Sequence, residues 1–158
     1  MNSVILPVRY KEAFYADVLN AKKTPVELTK FAYYNGIVVG AIACRTERGD
    51  GKPVELEEAT DLYIMTLTVL APYRRLGIGR RLVEHMLENV RAKRFAHLKS
   101  IRLNVLTNND IALAFYANYG FVNEERIEGY YKRVTPSSCF VLRKQLGGEV
   151  AAAAGDSK

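Results

Sequence analysis

The sequence predicts an α/β domain, and three observations support this fold class. A strand pattern at Leu62 to Leu70 is followed by a helix pattern from Gly79 to about Arg91, and a glycine turn joins the two. Another strand pattern, at Lys99 to Leu106, also precedes a helix pattern. The dipeptide Asn35-Gly36 lies between two apolar runs and is the strongest hairpin signal in the chain. With 158 residues and 49% apolar composition, the chain is long enough for one domain with a sizeable core.

The elements before the glycine turn are predicted from apolar spacing and from the positions of proline and glycine. They are a loop at 1–10, a short helix at 11–19, hairpin strands at 28–34 and 37–46, and an exposed loop at 47–61. Pro7 argues against a strand or a helix interior in the first of these segments. Gly49, Gly51 and Pro53, together with several acidic residues, indicate that the last one is solvent-exposed.

The elements after the glycine turn follow from the same signals. In the strand at 99–106, alternate side chains are expected on opposite faces, with Ile101 and Asn104 on different ones. An asparagine at 108 or 109 is expected to cap the next helix, and Gly120 to end it. Further strands are predicted at 121–126 and 139–142. We therefore expect one domain at 1–146 and a disordered tail at 147–158.

The composition narrows the partners and the compartment. A net charge of +6 favours an anionic partner such as a phosphorylated cofactor, RNA or the ribosome surface, although a solvated basic face fits equally well. Cys44 and Cys139 have no neighbours at metal-ligand spacing, which predicts a reducing compartment and no structural metal. No signal-peptide pattern and no run of 18 apolar residues is present, so we expect a cytoplasmic protein, with access to the nucleus open.

The glycine turn between Leu70 and Leu82 carries the clearest chemical signal. Gly77 and Gly79 have no Cβ, so backbone N–H groups there can point at one anion while the next helix adds its positive end. Four arginines lie in the same turn, at positions 74, 75, 80 and 81. A dinucleotide fingerprint would need a third glycine at Leu82, and a P-loop would need Gly-Lys-Ser/Thr. The turn therefore predicts a different phosphorylated ligand, although a lone Gly-x-Gly also fits a simple tight turn.

A second motif supports the interpretation of the glycine turn as a ligand-binding site. It is Asn109-x-x-Ala112-x-x-Phe115-Tyr116-x-x-x-Gly120-Phe121, and alone it also fits a capped helix packed by its aromatic residues. With Arg74-x-x-Gly77-x-Gly79 about 30 residues earlier, it resembles the GCN5-related N-acetyltransferases (GNAT), which bind acetyl-coenzyme A there. The resemblance implies the GNAT fold, a central mixed twisted sheet flanked by helices. Because Val4 matches the loop after that fold's first helix, we expect its first strand and most of its first helix to be missing.

The resemblance implies a set of residues that bind acetyl-CoA, the co-substrate, without a metal. Asn109 would lie near pantetheine, and the Tyr116 hydroxyl would lie near the thioester sulfur, where a donor helps to expel a thiolate. Backbone N–H groups near Leu67 to Val69 would stabilise the oxyanion. The implied cofactor-binding residues are Leu67, Thr68, Val69, Arg74, Arg75, Leu76, Gly77, Ile78, Gly79, Arg80, Asn109 and Tyr116.

Further segments resemble the catalytic subunits of the N-terminal acetyltransferases within this family. These segments are residues 62–67 and 70–74, the Leu6-Pro7-Val8-x-Tyr10 opening, and Tyr130-Tyr131-Lys132-Arg133. The implied substrate-binding residues are Leu6, Pro7, Val8, Tyr10, Met65, Tyr130, Tyr131 and Val134. The implied reaction moves acetyl to the α-amine of proteins that begin with Met and an apolar residue. A half-exposed strand pair is the alternative reading of Tyr130-Tyr131.

The same resemblance implies partners and leaves other functions open. The implied partners are nascent or free protein N-termini, with the N-terminal acetyltransferase A complex and the ribosome as further candidates. Binding to a membrane or to a specific nucleic acid is not expected. The alternatives are a lysine or small-amine acetyltransferase, and an acetyl-CoA-binding subunit without catalysis.

One position departs from the family's catalytic pattern. Tyr63 falls on the family's catalytic tyrosine, but Asn104 stands where the family has a catalytic histidine. An amide cannot accept the proton, although it can hydrogen-bond and position a water. We therefore expect Tyr63 to act as the base through an ordered water and Asn104 to orient the reacting groups, on neighbouring strands. His85 and His97 are expected on the solvated surface.

Overall fold

A computed structural model describes residues 23–133 and 135–147, which contain six β-strands and two α-helices. The chain divides between His97 and Leu98 into two compact units. No helix in the described part of the chain is long and apolar enough to cross a membrane. The helix predicted at 11–19 and the tail from residue 148 lie outside the described residues, as do Leu6, Pro7, Val8, Tyr10 and Val134.

The first unit contains an antiparallel sheet in the order β1-β2-β3. Its strands are β1 (Lys30–Tyr34), β2 (Ile37–Glu47) and β3 (Asp61–Val69). The predicted hairpin is confirmed, because Asn35 and Gly36 both have positive φ, at 48° and 79°. The first strand begins two residues later than predicted, since Val26–Leu28 forms a 3-10 turn that buries Leu28.

Strand β2 contains a β-bulge whose extra residue hydrogen-bonds to the residue that follows β3. Ala32 pairs with Gly40 but Tyr33 pairs with Val38, so Val39 is the extra residue of the bulge. The Val39 carbonyl accepts a hydrogen bond of 2.8 Å from the Leu70 N–H. The bulge thereby fixes the point at which the chain leaves β3 and enters the glycine turn.

Helix α1 (Ile78–Asn89) packs on this sheet with one apolar face. Val83 and Met86 are fully buried, which confirms the helix predicted from the spacing of its apolar residues. The helix comes close to the sheet at Gly40, where an added Cβ would lie 3.2 Å from Ile78 Cγ2. Gly40 therefore lets α1 lie directly against β2.

The segment predicted as an exposed loop at 47–61 is partly buried, so that prediction is wrong at its two ends. Glu47 and Asp61 belong to β2 and β3, and both are buried. Leu56 is also buried, in a 3-10 turn at Leu56–Glu58. The Thr46 hydroxyl donates to the Val54 carbonyl at 2.7 Å and holds this segment against β2. His85 and His97 are exposed, as expected.

The second unit contains an antiparallel sheet in the order β4-β6-β5, and one helix. Its elements are β4 (Ser100–Leu106), α2 (Asp110–Ala117), β5 (Val122–Ile127) and β6 (Cys139–Gln145). In β4, Ile101 is fully buried and Asn104 is half-buried, in agreement with the predicted alternation. Asn109 caps α2, and Gly120, with φ of 85°, follows its last turn.

Candidate acetyl-CoA site

The glycine turn lies between β3 and α1, and main-chain contacts define its path. Ala71–Tyr73 forms a 3-10 turn, and the Tyr73 ring lies 5.6 Å from the Tyr34 ring at the hairpin end. Arg74 Nε donates to the Val69 carbonyl at 3.0 Å. Arg75 and Gly77 then adopt left-handed conformations, with φ of 63° and 82°. The first of the four predicted arginines therefore holds the turn through its Nε, and its remaining guanidinium N–H groups are available for a ligand.

The turn leaves backbone donors without helical acceptors. Gly77 is the N-cap of α1 and provides no side-chain cap. The first main-chain bond across this end runs from the Arg81 N–H to the Gly77 carbonyl at 3.0 Å. The N–H groups of Ile78, Gly79 and Arg80 therefore have no acceptor within the helix. Such a helix end suits an anion, because the free N–H groups and the helix dipole act together.

The two glycines leave open space beside these donors. A Cβ added at Gly79 would meet only Val69 Cγ2, at 3.9 Å, and a Cβ added at Gly77 would meet nothing within 4 Å. Packing in the described structure therefore does not require glycine at position 79, whereas the positive φ favours it at position 77. Room for a ligand is the remaining physical reason for Gly79. The residues of the turn thus fit a phosphorylated ligand such as acetyl-CoA.

All four arginines of the turn are exposed. Arg80 lies 3.8 Å from Glu84 in a solvent-exposed pair. Among the described residues, Arg75 and Arg81 have no acidic side chain within salt-bridge distance. These guanidinium groups leave the turn with positive charge that no described carboxylate compensates.

The predicted catalytic Tyr63 lies on β3 and is half-buried. It pairs across the sheet with Arg45 of β2, whose guanidinium carbon lies 5.0 Å from the centre of the Tyr63 ring. Ala43 pairs with Thr66 and Cys44 with Ile64, so the predicted substrate residue Met65 is the extra residue of a second bulge. Bulges are over-represented beside active sites because they redirect side chains. No feature of the sequence indicated this one.

Two polar side chains near Tyr63, those of Arg45 and Glu47, form an ion pair that no sequence motif predicted. Arg45 donates from Nε and Nη2 to the same oxygen, Oε1 of Glu47, at 2.9 and 2.7 Å. The Glu47 side chain is fully buried. Their alternation in Arg45-x-Glu47 places both on one face of β2, which is the only sequence signal that could have paired them.

The end of β3 carries the predicted cofactor residues Leu67, Thr68 and Val69. Leu67 and Val69 are half-buried, whereas the Thr68 side chain is buried. Among the described residues, the hydroxyl oxygens of Thr66 and Thr68 have no hydrogen-bond partner. Their role at the site stays a prediction.

In the second unit, Asn109 and Tyr116 have structural roles, and the roles predicted for them at the cofactor stay predictions. Asn109 Oδ1 accepts from the Ala112 N–H at 3.1 Å, which is the capping bond of α2. Tyr116 is buried, and its ring centre lies 5.1 Å from that of Phe115 and 5.4 Å from that of Phe121. The capping role leaves the exposed amide nitrogen of Asn109 available for other contacts.

Asn104 carries a buried polar atom, its carbonyl oxygen Oδ1, which has no hydrogen-bond partner among the described residues. An unsatisfied buried acceptor costs about 1–3 kcal/mol, so a bound water or ligand that donates to it would be stabilising. Tyr63 belongs to the first unit and Asn104 to the second, and their expected approach stays a prediction.

Tyr130 and Tyr131 lie in the connection before β6 rather than in a strand, so the alternative reading as a strand pair is wrong. Their ring centres are 4.9 Å apart, and the Tyr131 N–H donates to the Ser137 carbonyl at 2.8 Å. Tyr130 is 44% exposed and accessible to a ligand. Within residues 23–133 and 135–147, no group of three or more His, Cys, Asp or Glu side chains could hold a metal ion.

Comparisons with known proteins show which proteins this chain is similar to. Residues 3–121 match the model of the acetyltransferase (GNAT) family. The chain is 44% identical to the probable N-acetyltransferase san of Drosophila melanogaster, over 92% of this chain and 72% of the relative. It is 41% identical to N-alpha-acetyltransferase 50 of Danio rerio, over 99% of this chain and 85% of the relative.

A solved structure extends the likeness to three dimensions. It is Arabidopsis thaliana Naa50 in complex with the bisubstrate analogue CoA-Ac-MVNAL, with a TM-score of 0.76 and 43% identity over 92% of this chain and 87% of that one. These matches confirm the predicted α/β GNAT fold, the resemblance to N-terminal acetyltransferases, and acetyl-CoA as the co-substrate of an acetyl-transferring enzyme. The expectation about the first strand and helix of the fold concerns residues outside the described ones. The chain therefore belongs to the acetyltransferase (GNAT) family.

Proposed function

We propose that this protein is an N-terminal acetyltransferase that moves acetyl from acetyl-CoA to the α-amine of proteins beginning with Met and an apolar residue. The observation that carries the proposal is the 43% identity to Arabidopsis Naa50, whose analogue contains the peptide MVNAL. The uncapped N-terminus of α1 and its arginines support the cofactor part. The exposed ring of Tyr130 supports an apolar peptide site.

The chemistry favours an α-amine over a lysine. The amine must be neutral to attack the thioester carbonyl. With a pKa of about 7.8, roughly one-seventh of an α-amine is neutral at about pH 7, whereas a lysine with a pKa of about 10.4 is neutral about once in 2,500. A site without a histidine base is therefore better suited to an α-amine.

The step itself can be assigned to residues of this chain. The amine nitrogen bonds to the acetyl carbon, and the carbon–sulfur bond breaks after the tetrahedral intermediate has formed. Tyr63, through an ordered water, takes the proton from the amine, and Asn104 holds the reacting groups through its unsatisfied oxygen. Backbone N–H groups near Leu67 to Val69 stabilise the oxyanion, and the Tyr116 hydroxyl donates to the departing thiolate.

Cellular context is part of the same proposal. Protein N-termini become available as chains leave the ribosome, so we propose that the protein works in the cytoplasm, with the ribosome and an acetyltransferase complex as candidate partners. Structures of the NatB and NatC complexes are similar in fold to this chain, at 24% identity each. Association with a complex of this kind can be tested by gel filtration of the protein isolated from its own cells.

The deciding experiment measures coenzyme A release from acetyl-CoA with a peptide that begins Met-Leu. The control peptide has the same sequence with a blocked α-amine and a free internal lysine. Turnover with only the first peptide supports the proposal. Turnover with the blocked peptide would assign the protein to lysine acetylation. A lack of turnover with both, while acetyl-CoA still raises the melting temperature, would indicate a binding subunit without catalysis.

Replacing Tyr63 with phenylalanine tests the proposed base. Removal of a general base lowers kcat by about 10²- to 10⁴-fold, and we expect KM for acetyl-CoA to stay within a factor of about two to three because the turn is untouched. Tyr33→Phe is the matched control, since Tyr33 is an exposed tyrosine of β1. An unchanged kcat in Tyr63→Phe would rule out Tyr63 as the base.

A further inference from the structure

Four polar residues share one face of the sheet where β2 ends and β3 begins: Arg45, Glu47, Asp61 and Tyr63. Arg45 pairs with Tyr63 in the register, and Glu47 pairs with Asp61. Residues two apart on a strand share a face, so all four side chains lie on the same side of the sheet. The Glu47 side chain is fully buried, whereas that of Arg45 is 21% exposed.

Two hydrogen bonds fix the Arg45 guanidinium relative to Glu47. Nε and Nη2 both donate to Oε1 of Glu47, and a planar group held at two nitrogens cannot rotate freely. The fixed guanidinium lies over the Tyr63 ring, 5.0 Å from its centre. This is a favourable cation–π geometry, and it defines where the ring plane can lie.

Asp61 completes the cluster from β3. Its carboxylate accepts a hydrogen bond of 2.9 Å from the Thr60 hydroxyl, and the Thr60 N–H donates to the Glu47 carbonyl at the same distance. These contacts link the end of β2 to the start of β3. The Glu47 backbone and side chain are therefore both anchored, so the carboxylate is a rigid support for Arg45.

We propose that Arg45 and Glu47 are positioning residues for Tyr63: the buried Glu47 carboxylate fixes the Arg45 guanidinium, and the guanidinium holds the Tyr63 ring where its hydroxyl serves the proton transfer. The inference rests on the proposed role of Tyr63 as the base. A general base must stay within hydrogen-bond reach of its proton. The cluster supplies this constraint from β2, the strand next to the one that carries the tyrosine.

The test is a double-mutant cycle on kcat with the Met-Leu peptide. Arg45→Met keeps an unbranched stem of similar width but removes the guanidinium with its charge and both donors, so we expect kcat to fall about 10- to 100-fold, since a misplacement of about 1 Å can cost 100-fold. KM for acetyl-CoA should change by less than a factor of about three, because the glycine turn is not altered. In the Tyr63→Phe background, Arg45→Met should cause no further loss, because residues that act through one another are not additive.

A matched pair at Glu47 separates positioning from folding. Glu47→Gln keeps the size and the accepting oxygen, and should retain most of the activity. Glu47→Leu removes the acceptor, and should resemble Arg45→Met. Arg48→Met is the control for loss of an arginine, since Arg48 lies in an exposed pair with Asp50 and should leave kcat unchanged. If Glu47→Leu does not fold, the Arg45→Met variant and its double-mutant cycle with Tyr63→Phe still test the proposal, because Arg45 is the more exposed partner.

The outcomes distinguish this inference from the proposed function. An unchanged kcat in Arg45→Met would overturn the inference, and so would a further full loss when Arg45→Met is added to Tyr63→Phe. Either result would leave the N-terminal acetyltransferase in place. Failure of the wild-type protein to use the Met-Leu peptide would instead overturn the proposed function.

Discussion

Replacing Gly79 with alanine separates the binding role of the glycine turn from its role in the fold. Gly79 is the second residue of α1, and an added Cβ would make only an ordinary contact of 3.9 Å with Val69 Cγ2. Alanine is favoured over glycine within a helix by about 0.5–1 kcal/mol. The variant should therefore be as stable as the wild type or slightly more stable, with a rise in Tm of at most about 4 °C.

The effect on acetyl-CoA should have the opposite sign. The methyl group would occupy the open space beside the N–H groups of Ile78, Gly79 and Arg80, where an anion is expected. A hydrogen bond to a charged group contributes about 1.5–3 kcal/mol, which corresponds to about 10- to 150-fold in affinity. We therefore expect KM for acetyl-CoA to rise by about that factor if one such bond is lost.

The assay combines coenzyme A release at varied acetyl-CoA concentrations with a thermal melt of the same sample. Gly77→Ala and Gly36→Ala form a matched pair, because both positions have φ near +80° and open space around the added Cβ. Both should lose about 1–2 kcal/mol of stability from the left-handed conformation. Only Gly77→Ala should also raise KM. An unchanged KM in Gly79→Ala would refute the assignment of this turn to the cofactor.

Three further predictions concern single positions. Asn104→His adds an imidazole, whose ordinary pKa is about 6.5 and which can accept a proton only at a pH above that value. The plot of kcat/KM against pH should therefore gain an inflection near about pH 6.5 and rise with pH. A profile identical to that of the wild type would contradict the role of Asn104. Gly40→Ala brings a Cβ within 3.1 Å of the Thr68 carbonyl oxygen and should lower the free energy of unfolding by about 1–3 kcal/mol in urea titrations, whereas an unchanged midpoint would show that α1 can shift. Burial raises the pKa of the Cys44 thiol, so iodoacetamide at about pH 8 should modify it only after unfolding, as mass spectrometry can determine.

The features that the sequence predicted well depend on backbone chemistry within a few residues. Asn35-Gly36 forms the predicted turn because both residues tolerate positive φ. Gly77, in the glycine turn, also has positive φ. Asn109 forms the predicted cap of α2 through its own side chain. In each case one short motif contains all the groups that make the structure.

The features that the sequence did not predict depend on which residues meet across the sheet. Acidic residues, glycine and proline usually indicate a loop, so the sequence predicts that the segment from Glu47 to Asp61 is solvent-exposed. Its two ends are instead buried strand residues, because β2 and β3 extend to pair Glu47 with Asp61. The bulge at Met65 shifts this register by one residue, and its position cannot be read from alternation.

The substitution at Asn104 and the cluster around Tyr63 bear on the same chemical problem. A histidine would provide a base that titrates near physiological pH, whereas an asparagine provides only hydrogen bonds. Without the histidine, the proposed reaction depends on a tyrosine, whose hydroxyl must be held within hydrogen-bond reach of the amine or of a bridging water. A ring held by Arg45, which is itself held by the buried Glu47, meets that condition. Loss of this support should therefore lower kcat more in the wild-type protein than in Asn104→His, where a second base is available.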